Sequence, residues 1–274
     1  MSQIALVIPA RYNSKRLPGK PLIKIAGTEM IKRVAAIAES IVRKNDRSFY
    51  LVATDDERIR IFCQDNEIPV VMTSPDCENG TTRCREAIEQ LEEKPELVIN
   101  LQGDNPLCPP HVIQALINSW KNVPGDVFTP CVHLSWNEYD ALCEAKKTTP
   151  YSGTTVLTDR QGYAMVFSKA VLPLIRDEAK ARAQMEKSPV RRHVGLYAYS
   201  YDALNRYIFL PPTLYGEDYL EALEQLRFLE NGMKVKMVDV DYRGRRTTSG
   251  VDSPEDIKRV EDILKEFGEP DLSL

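Results

Sequence analysis

Residues 4–22 read IALVIPARYNSKRLPGKPL and contain the feature that decides the fold. The first five residues are an apolar run that predicts a buried strand. The loop that follows places four cations within ten positions, Arg11, Lys15, Arg16 and Lys20, and one glycine and two prolines shape it. A strand, a basic glycine-containing loop and a helix are the parts with which α/β proteins hold phosphate at the carboxyl edge of a sheet. The stretch therefore predicts a polyanion site, with a triphosphate as the candidate ligand.

The first half of the chain alternates between the two patterns of secondary structure. Apolar β-rich runs predict strands at 3–8, 49–54, 68–72 and 96–104. Apolar residues at helical spacing predict helices at 29–43 and 81–94, with a short helix after Asp55 or Asp56 and another after Pro110. This alternation indicates an α/β fold with a mainly parallel sheet flanked by helices.

The regular alternation ends after residue 126. The run at 154–168 predicts a hairpin that turns at 159–162, and the polar stretch 177–192 predicts a solvated helix or a mobile loop. A helix is predicted over 216–232, ending at a glycine, and a last helix is predicted after Ser253 as its N-cap. We expect one domain over 1–274 with a β-rich lobe inserted at about 127–215.

Composition limits the classes of protein to which the chain can belong. The formal net charge of −4 argues against nonspecific binding of nucleic acid. The six cysteines include no CxxC pair and the three histidines lie far apart, which argues against structural zinc and favours reduced thiols in a cytoplasm. We expect neither a signal peptide nor a membrane span. The motifs GxSxG, GxGxxG and GxxxxGK[ST] do not occur in the sequence, which disfavours serine hydrolases, Rossmann dehydrogenases and P-loop enzymes.

Two aspartates are candidates for binding a metal ion. Asp104, in LQGDNP at 101–106, follows a predicted strand, and Asp252, in SGVDSPED at 249–256, precedes a predicted helix. Carboxylates at the carboxyl edge of such a sheet are suited to Mg²⁺, which prefers oxygen ligands. The alternative for each is a local role as a turn or helix-cap residue. Gln102, two residues before Asp104, is placed to hydrogen-bond a base or a sugar.

Three further segments carry polar side chains that suit a substrate. Residues 78–83, ENGTTR, offer Asn79, Thr81 and Arg83, although this motif alone is no more than a helix N-terminus. Residues 191–199, RRHVGLYAY, place two arginines and His193 before a strand, where they could receive an anionic acceptor. The predicted helix after residue 216 carries Glu217, Glu221, Glu224 and Gln225 on adjoining faces, which suits either sugar hydroxyls or a solvated acidic face.

Together these segments resemble the CMP-Kdo synthetases, the 3-deoxy-manno-octulosonate cytidylyltransferases. The resemblance covers nearly the whole chain, and its motifs occur in the order of that family. They are PARYNSKRLPGKPL, ATDDERI, NGTTR, LQGDNP, GYAMVFSKAVLP, RRHVGLYAY, LEALEQLRFLENG and GVDSPEDIKRVE. The first, EQLR and GVDSPED are specific, whereas NGTTR is not.

The resemblance implies a Rossmann-like, GT-A-like nucleotidyltransferase that transfers CMP from CTP to an acidic sugar of the Kdo type and releases pyrophosphate. It also implies a Mg²⁺ cofactor, a homodimer built partly through the β-rich lobe, and a role in lipopolysaccharide biosynthesis. The implied nucleotide-binding residues are Ala10, Arg11, Ser14, Arg16, Lys20, Asn79, Thr81, Arg83 and Gln102. Arg11 and Lys20 would act in catalysis together with the metal ligands Asp104 and Asp252. The implied acceptor-binding residues are His193, Tyr197, Glu221, Glu224 and Gln225.

The sequence departs from the family pattern at three places, one of which is the insertion-like stretch 177–192. Asn105 stands where the family has an acidic residue, and Thr155 falls about where the family has a lysine in a VKVV strand. These changes lie on the presumed acceptor side. The acceptor therefore stays open among Kdo, its 8-amino derivative, another sugar acid and a phosphonate, and a catalytically silent nucleotide-binding module is the remaining alternative.

Overall fold

The computed structural model describes residues 3–14, 16–217, 219–245 and 250–272. The strands in these ranges are β1 Ile4–Ala10, β2 Lys24–Ile25, β3 Thr28–Glu29, β4 Ser48–Thr54, β5 Val70–Met72, β6 Leu97–Asn100, β7 Val127–His133, β8 Thr155–Thr158, β9 Ala164–Ser168, β10 Arg191–His193, β11 Tyr197–Ser200 and β12 Val235–Asp239. The helices are α1 Met30–Val42, α2 Glu57–Asp65, α3 Gly80–Glu89, α4 Pro110–Asn122, α5 Trp136–Thr148, α6 Glu178–Gln184, α7 Tyr201–Tyr207, α8 Leu226–Glu230 and α9 Pro254–Phe267. Lys15, one of the four cations of the N-terminal loop, lies outside the described residues.

One mixed sheet forms the centre of the molecule. Its path runs β5-β4-β1-β6-β11-β7-β10-β8-β9, and β12 pairs with β7. The neighbours from β5 to β6 are parallel, and β6 is followed by antiparallel pairs out to β9. The parallel part confirms the α/β alternation predicted for the first half of the chain. The carboxyl ends of β1 and β6, which are neighbours in the sheet, therefore lie side by side.

Helices cover both faces of the sheet because the residues of β1 alternate between two apolar clusters. Leu6 and Ile8 belong to the cluster that includes α1 and α4, whereas Val7 belongs to the cluster that includes α3 and Tyr199. Each fully buried aliphatic side chain of this kind contributes about 1.5–3 kcal/mol relative to an exposed one. A third cluster packs α9 against the N-terminal loop through Leu17, Met30 and Val260, and this packing fixes the segment that carries Asp252.

The antiparallel half agrees with the sequence in some places and differs in others. The predicted hairpin forms from β8 and β9, and the polar stretch after residue 177 contains the short helix α6. The prediction of a helix over 216–232 is wrong, since only Leu226–Glu230 is helical among the described residues of that range. Ala222 has a left-handed φ of 47° and its N–H donates to the carbonyl of Tyr215, so the chain turns there. The carboxylate of Glu221 accepts hydrogen bonds from the hydroxyl of Ser168, at the end of β9, and from the N–H of Lys169. These contacts favour the turn over a regular helix.

The boundary of a separate lobe at 127–215 stays a prediction, because the strands of that region continue the same sheet as the first half. Helix α5 was not predicted, although Ser135 and Glu138 form a capping box at its start. Within the part of the chain that the structure describes, no helix has the length and apolarity needed to cross a bilayer.

Candidate active site

A cavity of about 250 Å³ lies at the carboxyl ends of β1 and β6. This is the position at which α/β sheets bind ligands, because the loops that leave neighbouring parallel strands meet there. Its lining comes from the N-terminal basic loop, the start of α3 and the loop after β6, and comprises Pro9, Ala10, Arg11, Asn13, Ser14, Lys20, Pro21, Gly80, Arg83, Gln102, Gly103 and Asp104. Six of the predicted nucleotide-binding residues are therefore in one cavity with one of the two predicted metal ligands.

Asp104 and Asp252 converge on one nitrogen. The Nζ of Lys20 lies 2.7 Å from Oδ2 of Asp104 and 3.1 Å from Oδ1 of Asp252. The guanidinium of Arg16 lies 3.1 Å from the other oxygen of Asp252. Because both carboxylates contact the same atom, their oxygens are close enough to bind one small cation in common. Folding thus brings together two aspartates that lie 148 residues apart in the sequence.

Asp252 does not cap the helix that follows it. The Oγ of Ser253 accepts from the N–H of Asp256, and the carboxylate of Asp256 accepts from the N–H groups of Asp252 and Ser253. This capping box satisfies the first turn of α9, so the Asp252 carboxylate is left to face Lys20. Asp104 likewise does not cap α4, because Pro109 stands at that N-cap. The helix-cap roles considered as alternatives for the two aspartates are thus filled by other residues.

The loop around Lys20 is fixed by its backbone. Gly19 has a φ of 70°, which suits glycine, and its N–H donates to the carbonyl of Tyr12 at 2.9 Å. Pro21 follows within a short 3-10 turn, Lys20–Leu22, and restricts the chain further. Burial alone would lower the pKa of Lys20, but the charges and hydrogen bonds of Asp104 and Asp252 raise it above its usual value. Lys20 is therefore cationic at neutral pH.

The buried guanidinium group of Arg83 and the half-buried one of Arg11 lie beside the cavity. Arg83 donates to the carboxylate of Asp55 at 2.9 Å and to the hydroxyl of Thr73 at 2.5 Å. Among the described residues, the buried Nη2 of Arg11 has no hydrogen-bond partner. Burial and the neighbouring charge of Arg83 lower the pKa of Arg11, while Asp55 opposes this shift. Such an arrangement favours an anion at Arg11, because a buried cation without a partner is costly.

The N-terminus of α3 connects this cavity to a tyrosine cluster, which consists of Tyr197, Tyr199 and Tyr207. Asn79 caps α3, and its Nδ2 donates to the hydroxyl of Tyr207 at 3.1 Å. The buried hydroxyl of Thr81 lies 3.0 Å from that of Tyr199. Both side chains are thus engaged with tyrosines. Gly80 between them lines the cavity.

Four of the five predicted acceptor residues lie in or beside the tyrosine cluster. The hydroxyl of Tyr197 donates to Gln225 at 3.2 Å, and its ring lies 5.5 Å from that of His193. Glu224 lies near enough to Tyr197 and Tyr199 for its charge to contribute to their raised pKa values, for which burial is the main cause. In the pairing of β6 with β11, Tyr197 stands opposite Asn100, which is adjacent to Gly80 of the cavity. The cluster is therefore continuous with the nucleotide cavity.

Glu221, the fifth predicted acceptor residue, lies at the end of β9. Its carboxylate accepts from the hydroxyl of Ser168 at 2.5 Å and from the N–H of Lys169 at 2.7 Å. The predicted acidic helix face that would join Glu221 to Glu217, Glu224 and Gln225 does not form, because residues 216, 217 and 219–225 are not helical. Glu217 is exposed.

His193 is held neutral. Burial lowers its pKa to about 3. The hydroxyl of Thr129 lies 2.8 Å from His193 Nε2 and also 2.8 Å from the carbonyl of Leu196. The Thr129 hydroxyl has one proton, which it donates to the carbonyl of Leu196. It therefore accepts a hydrogen bond from His193, and the proton of the neutral ring is on Nε2. His193 is therefore a neutral polar surface, and it is not suited to act as a general base at neutral pH.

The sequence reasoning missed two polar residues of the site. Asn100 ends the apolar strand β6, and its buried Oδ1 has no hydrogen-bond partner in the described ranges; the same holds for Oε1 of Glu224. The second is Asp55, whose carboxylate accepts from Arg83 and so holds the Arg83 guanidinium near Arg11. The only signal available in the sequence was a polar residue at or directly after the end of a predicted strand.

The comparisons with known proteins agree with this geometry. A family model described as Cytidylyltransferase matches residues 5–235. The 3-deoxy-manno-octulosonate cytidylyltransferase of Maricaulis maris is 44% identical over 98% of this chain and 99% of its own length. The 8-amino-3,8-dideoxy-manno-octulosonate cytidylyltransferase of a Shewanella species is 39% identical over 95% of this chain and 98% of its own.

A solved structure extends the comparison to three dimensions. It is that of a CMP:2-keto-3-deoxy-manno-octonic acid synthetase in complex with CTP, which is 32% identical. The two superpose with a TM-score of 0.81 over 97% of this chain and 99% of the other. With a family model that spans most of its length and relatives that match it almost from end to end, the chain belongs to the 3-deoxy-manno-octulosonate cytidylyltransferases, a family of CTP-dependent nucleotidyltransferases.

Proposed function

We propose that the protein transfers CMP from CTP to Kdo, with release of pyrophosphate. The observation that carries this proposal is the meeting of Asp104, Asp252 and Lys20 at the edge of a cavity that also contains Arg11. Two carboxylates beside a group of cations suit a metal-bound triphosphate. The relative solved with CTP and the curated relatives named for Kdo support the choice of both substrates.

Asp104 and Asp252 are the residues that would hold a divalent metal ion. Among the described residues there is no group of three or more histidine, cysteine, aspartate or glutamate side chains placed to bind a metal. Two carboxylates are nevertheless a fitting donor set for Mg²⁺, which typically takes one or two carboxylates and completes its shell with substrate phosphates and water. Mg²⁺ bound there would polarise the α-phosphate and neutralise charge.

The basic loop is the proposed triphosphate site. Arg11 offers a buried guanidinium edge without a partner in the described part of the chain, and Ser14 lines the same cavity. Lys20 and Arg16 supply two more positive charges next to the carboxylates. We assign stabilisation of the departing pyrophosphate to these groups, since charge that develops on a leaving group is stabilised by cations fixed in advance. Ala10 and Gln102 line the part of the cavity assigned to the nucleoside.

The cluster formed by His193, Tyr197 and Gln225 is the proposed acceptor site, together with Glu224 and Glu221. It supplies hydroxyl, imidazole, amide and carboxylate groups that suit the hydroxyls of a sugar. A hydroxyl of the acceptor attacks the α-phosphorus of CTP, the new P–O bond forms, and the bond to pyrophosphate breaks. Catalysis is then mainly positioning and neutralisation of charge, because the low pKa of His193 makes it a poor base.

The 8-amino derivative of Kdo is the second candidate acceptor. Glu224 has a buried carboxylate oxygen without a partner among the described residues, and an ammonium group would satisfy it. Thr155, at the position where the family resemblance places a lysine, is fully buried, and its hydroxyl lies 2.6 Å from the carbonyl of Ala170. An unpartnered carboxylate oxygen at Glu224, together with the absence of a lysine at position 155, favours a sugar that carries an ammonium group, and one relative is named for that sugar.

Release of pyrophosphate tests both candidates. The protein is incubated with CTP and Mg²⁺ and with Kdo, 8-amino-Kdo, another sugar acid or a phosphonate. Turnover with Kdo at a higher kcat/KM than with the other acceptors supports the proposal, and a higher value with the 8-amino sugar supports the second candidate. No pyrophosphate with any acceptor would contradict CMP transfer and leave a silent nucleotide-binding module.

A homodimer and a cytoplasmic location complete the proposal. Four large apolar side chains of the described region are more than three-quarters exposed, namely Leu174, Phe209, Leu214 and Tyr219. The last three lie within eleven residues of one another in the sequence. Apolar side chains at this density suit a protein interface. Light scattering after size exclusion should give twice the monomer mass, and the exchange of Phe209 and Leu214 for serine should give the monomer. The free state of all six cysteines fits a reducing cytoplasm.

A further inference from the structure

Lys20 occupies the position between the two carboxylates that a metal ion would take. Its Nζ donates to Asp104 at 2.7 Å and to Asp252 at 3.1 Å. Its side chain is only 16% exposed, so the ammonium is enclosed by these contacts. A lysine ammonium carries a single charge on one nitrogen, as a compact point cation. It therefore serves as a counter-ion for two carboxylates that would otherwise repel each other.

The charges at this place are balanced without a metal ion. Asp104 and Asp252 contribute two negative charges, and Lys20 and Arg16 contribute two positive charges. A divalent ion that approaches this group meets no net attraction, and its ligand oxygens are already in contact with cations. Binding of a metal alone is opposed both by the repulsion from Lys20 and by the loss of two charge-assisted hydrogen bonds.

The Lys20 side chain can leave without a change of the backbone. The chain on either side is fixed by the left-handed Gly19 and by Pro21. A lysine stem has four methylene groups, so its ammonium can be redirected over several ångströms from the same Cα. Lys20 lines the same cavity as Arg11 and Ser14, and phosphates bound there would lie within its reach.

From these contacts we infer that Lys20 is a resident cation that exchanges with the metal ion when CTP binds. This inference rests on the proposed function, in which the nucleotide brings the metal to this site. The triphosphate draws the ammonium away from Asp104 and Asp252, and the metal takes its place. Metal and nucleotide consequently bind with strong positive coupling, and each raises the affinity for the other.

A cation that exchanges with the metal differs from an ordinary binding residue in its effect on metal affinity. Removal of the Lys20 charge weakens the binding of CTP, yet it strengthens the binding of metal in the absence of CTP. We choose Mn²⁺ as the probe, because free Mn²⁺ can be measured directly by electron paramagnetic resonance. The titration contains neither nucleotide nor acceptor, so its result does not depend on the identity of the acceptor or on turnover.

The experiment compares wild type with Lys20→Met and Lys20→Gln. Lys24→Met is the matched control, since Lys24 lies four residues away and is exposed beside Glu29. It removes the same formal charge from the protein without touching the two aspartates. We expect Lys20→Met and Lys20→Gln to bind Mn²⁺ about tenfold or more tightly than wild type, and Lys24→Met to match wild type.

A second pair of variants locates the ion. Lys20→Met combined with Asp104→Asn or with Asp252→Asn should return Mn²⁺ affinity to the wild-type level or below it. Circular dichroism checks that each variant is folded. Two substitutions of Lys20 are used so that the test can still be made if one of the two variants does not fold. Lys20 variants that bind Mn²⁺ no better than wild type would overturn the inference. So would tighter binding that persists when either aspartate is neutralised.

Discussion

Gly250 lies directly against the carboxylate of Asp104. A Cβ placed on Gly250 would come 2.8 Å from Cγ and 2.8 Å from Oδ1 of that carboxylate, closer than real contacts allow. The next residue, Val251, donates its N–H to the carbonyl of Asp104 at 2.8 Å. These two contacts join the segment before α9 to the loop after β6. They set the distance between Asp104 and Asp252.

Gly250→Ala is therefore expected to push the two aspartates apart. We predict a fall in kcat/KM of about tenfold or more and a loss of about 1–3 kcal/mol in the free energy of unfolding, since the new methyl group has no space. Gly195→Ala is the control, because a Cβ there meets no atom within 4 Å. Steady-state kinetics and urea unfolding would measure both variants. Gly250→Ala with wild-type kinetics would show that this spacing does not matter.

Tyr197→Phe should affect the acceptor more than CTP. The substitution removes the hydroxyl that donates to Gln225 but keeps the ring that stacks on Tyr199 at 5.9 Å. We predict that the KM for the acceptor rises about tenfold, as for a lost hydrogen bond in a buried site, while the KM for CTP stays within about twofold. Kinetics with each substrate varied in turn measure the two values. An equal rise of both KM values would place Tyr197 outside the acceptor site.

His193 should make stability depend on pH. Burial lowers its pKa from 6.5 to about 3 in the folded protein. The unfolded chain binds a proton below about pH 6.5 that the folded protein does not, so stability is lost as pH falls from 6.5 towards 3. The loss attributable to His193 at pH 5 is about 2 kcal/mol, at 1.36 kcal/mol for each pH unit.

The comparison with His193→Gln isolates this effect, since glutamine does not titrate. Urea unfolding at several pH values between 7 and 5 gives the free energy of unfolding as a function of pH. Near pH 5 this free energy should fall more steeply with falling pH for wild type than for the variant, by an amount that corresponds to about one proton. The absolute stability of the variant does not enter the comparison. Parallel slopes would mean that His193 is protonated as readily in the folded state as in the unfolded chain.

Lys146 should be important for stability rather than for chemistry. Its Nζ lies within hydrogen-bond distance of four carbonyl oxygens, those of Pro150, Ser152, Gly153 and Lys169, and the N–H of Lys169 donates to Glu221. Lys146→Met leaves these carbonyls without their shared donor, and we predict a loss of about 1–3 kcal/mol. Lys147→Met is the control, because that side chain is exposed and pairs with Glu144 on the same helix. Equal stability of the two variants in urea would contradict this role.

The sequence predicted the position of the site better than its details. The strand and loop at 4–22 placed the cations at the sheet edge, and the apolar run that begins at residue 97 marked the neighbouring loop with Asp104. These are local patterns. The meeting of Asp252 with Asp104 depends on the packing of α9 against Leu17 and Met30, and such a contact between distant segments has no local signal.

The errors of the sequence analysis have the same origin. Residues 216–225 have helical periodicity, but the carboxylate of Glu221 binds Ser168 and Lys169 and the chain turns at Ala222. A tertiary contact outweighs the helix propensity there, which amounts to a few tenths of a kcal/mol for each residue. Asn100 was missed because one polar residue at the end of an apolar strand is common and has no distinctive pattern.

The most direct test of the account is the turnover of Asp252→Asn with CTP, Mg²⁺ and Kdo. The substitution keeps the shape of the side chain but removes the charge that faces Lys20, and the capping box of Ser253 and Asp256 is untouched. The control is Asp262→Asn, which neutralises an exposed aspartate of α9 itself. The account predicts that Asp252→Asn lowers kcat by about 10²–10³-fold in a folded protein, while the control keeps the wild-type rate. An Asp252→Asn variant that releases pyrophosphate at the wild-type rate would contradict it.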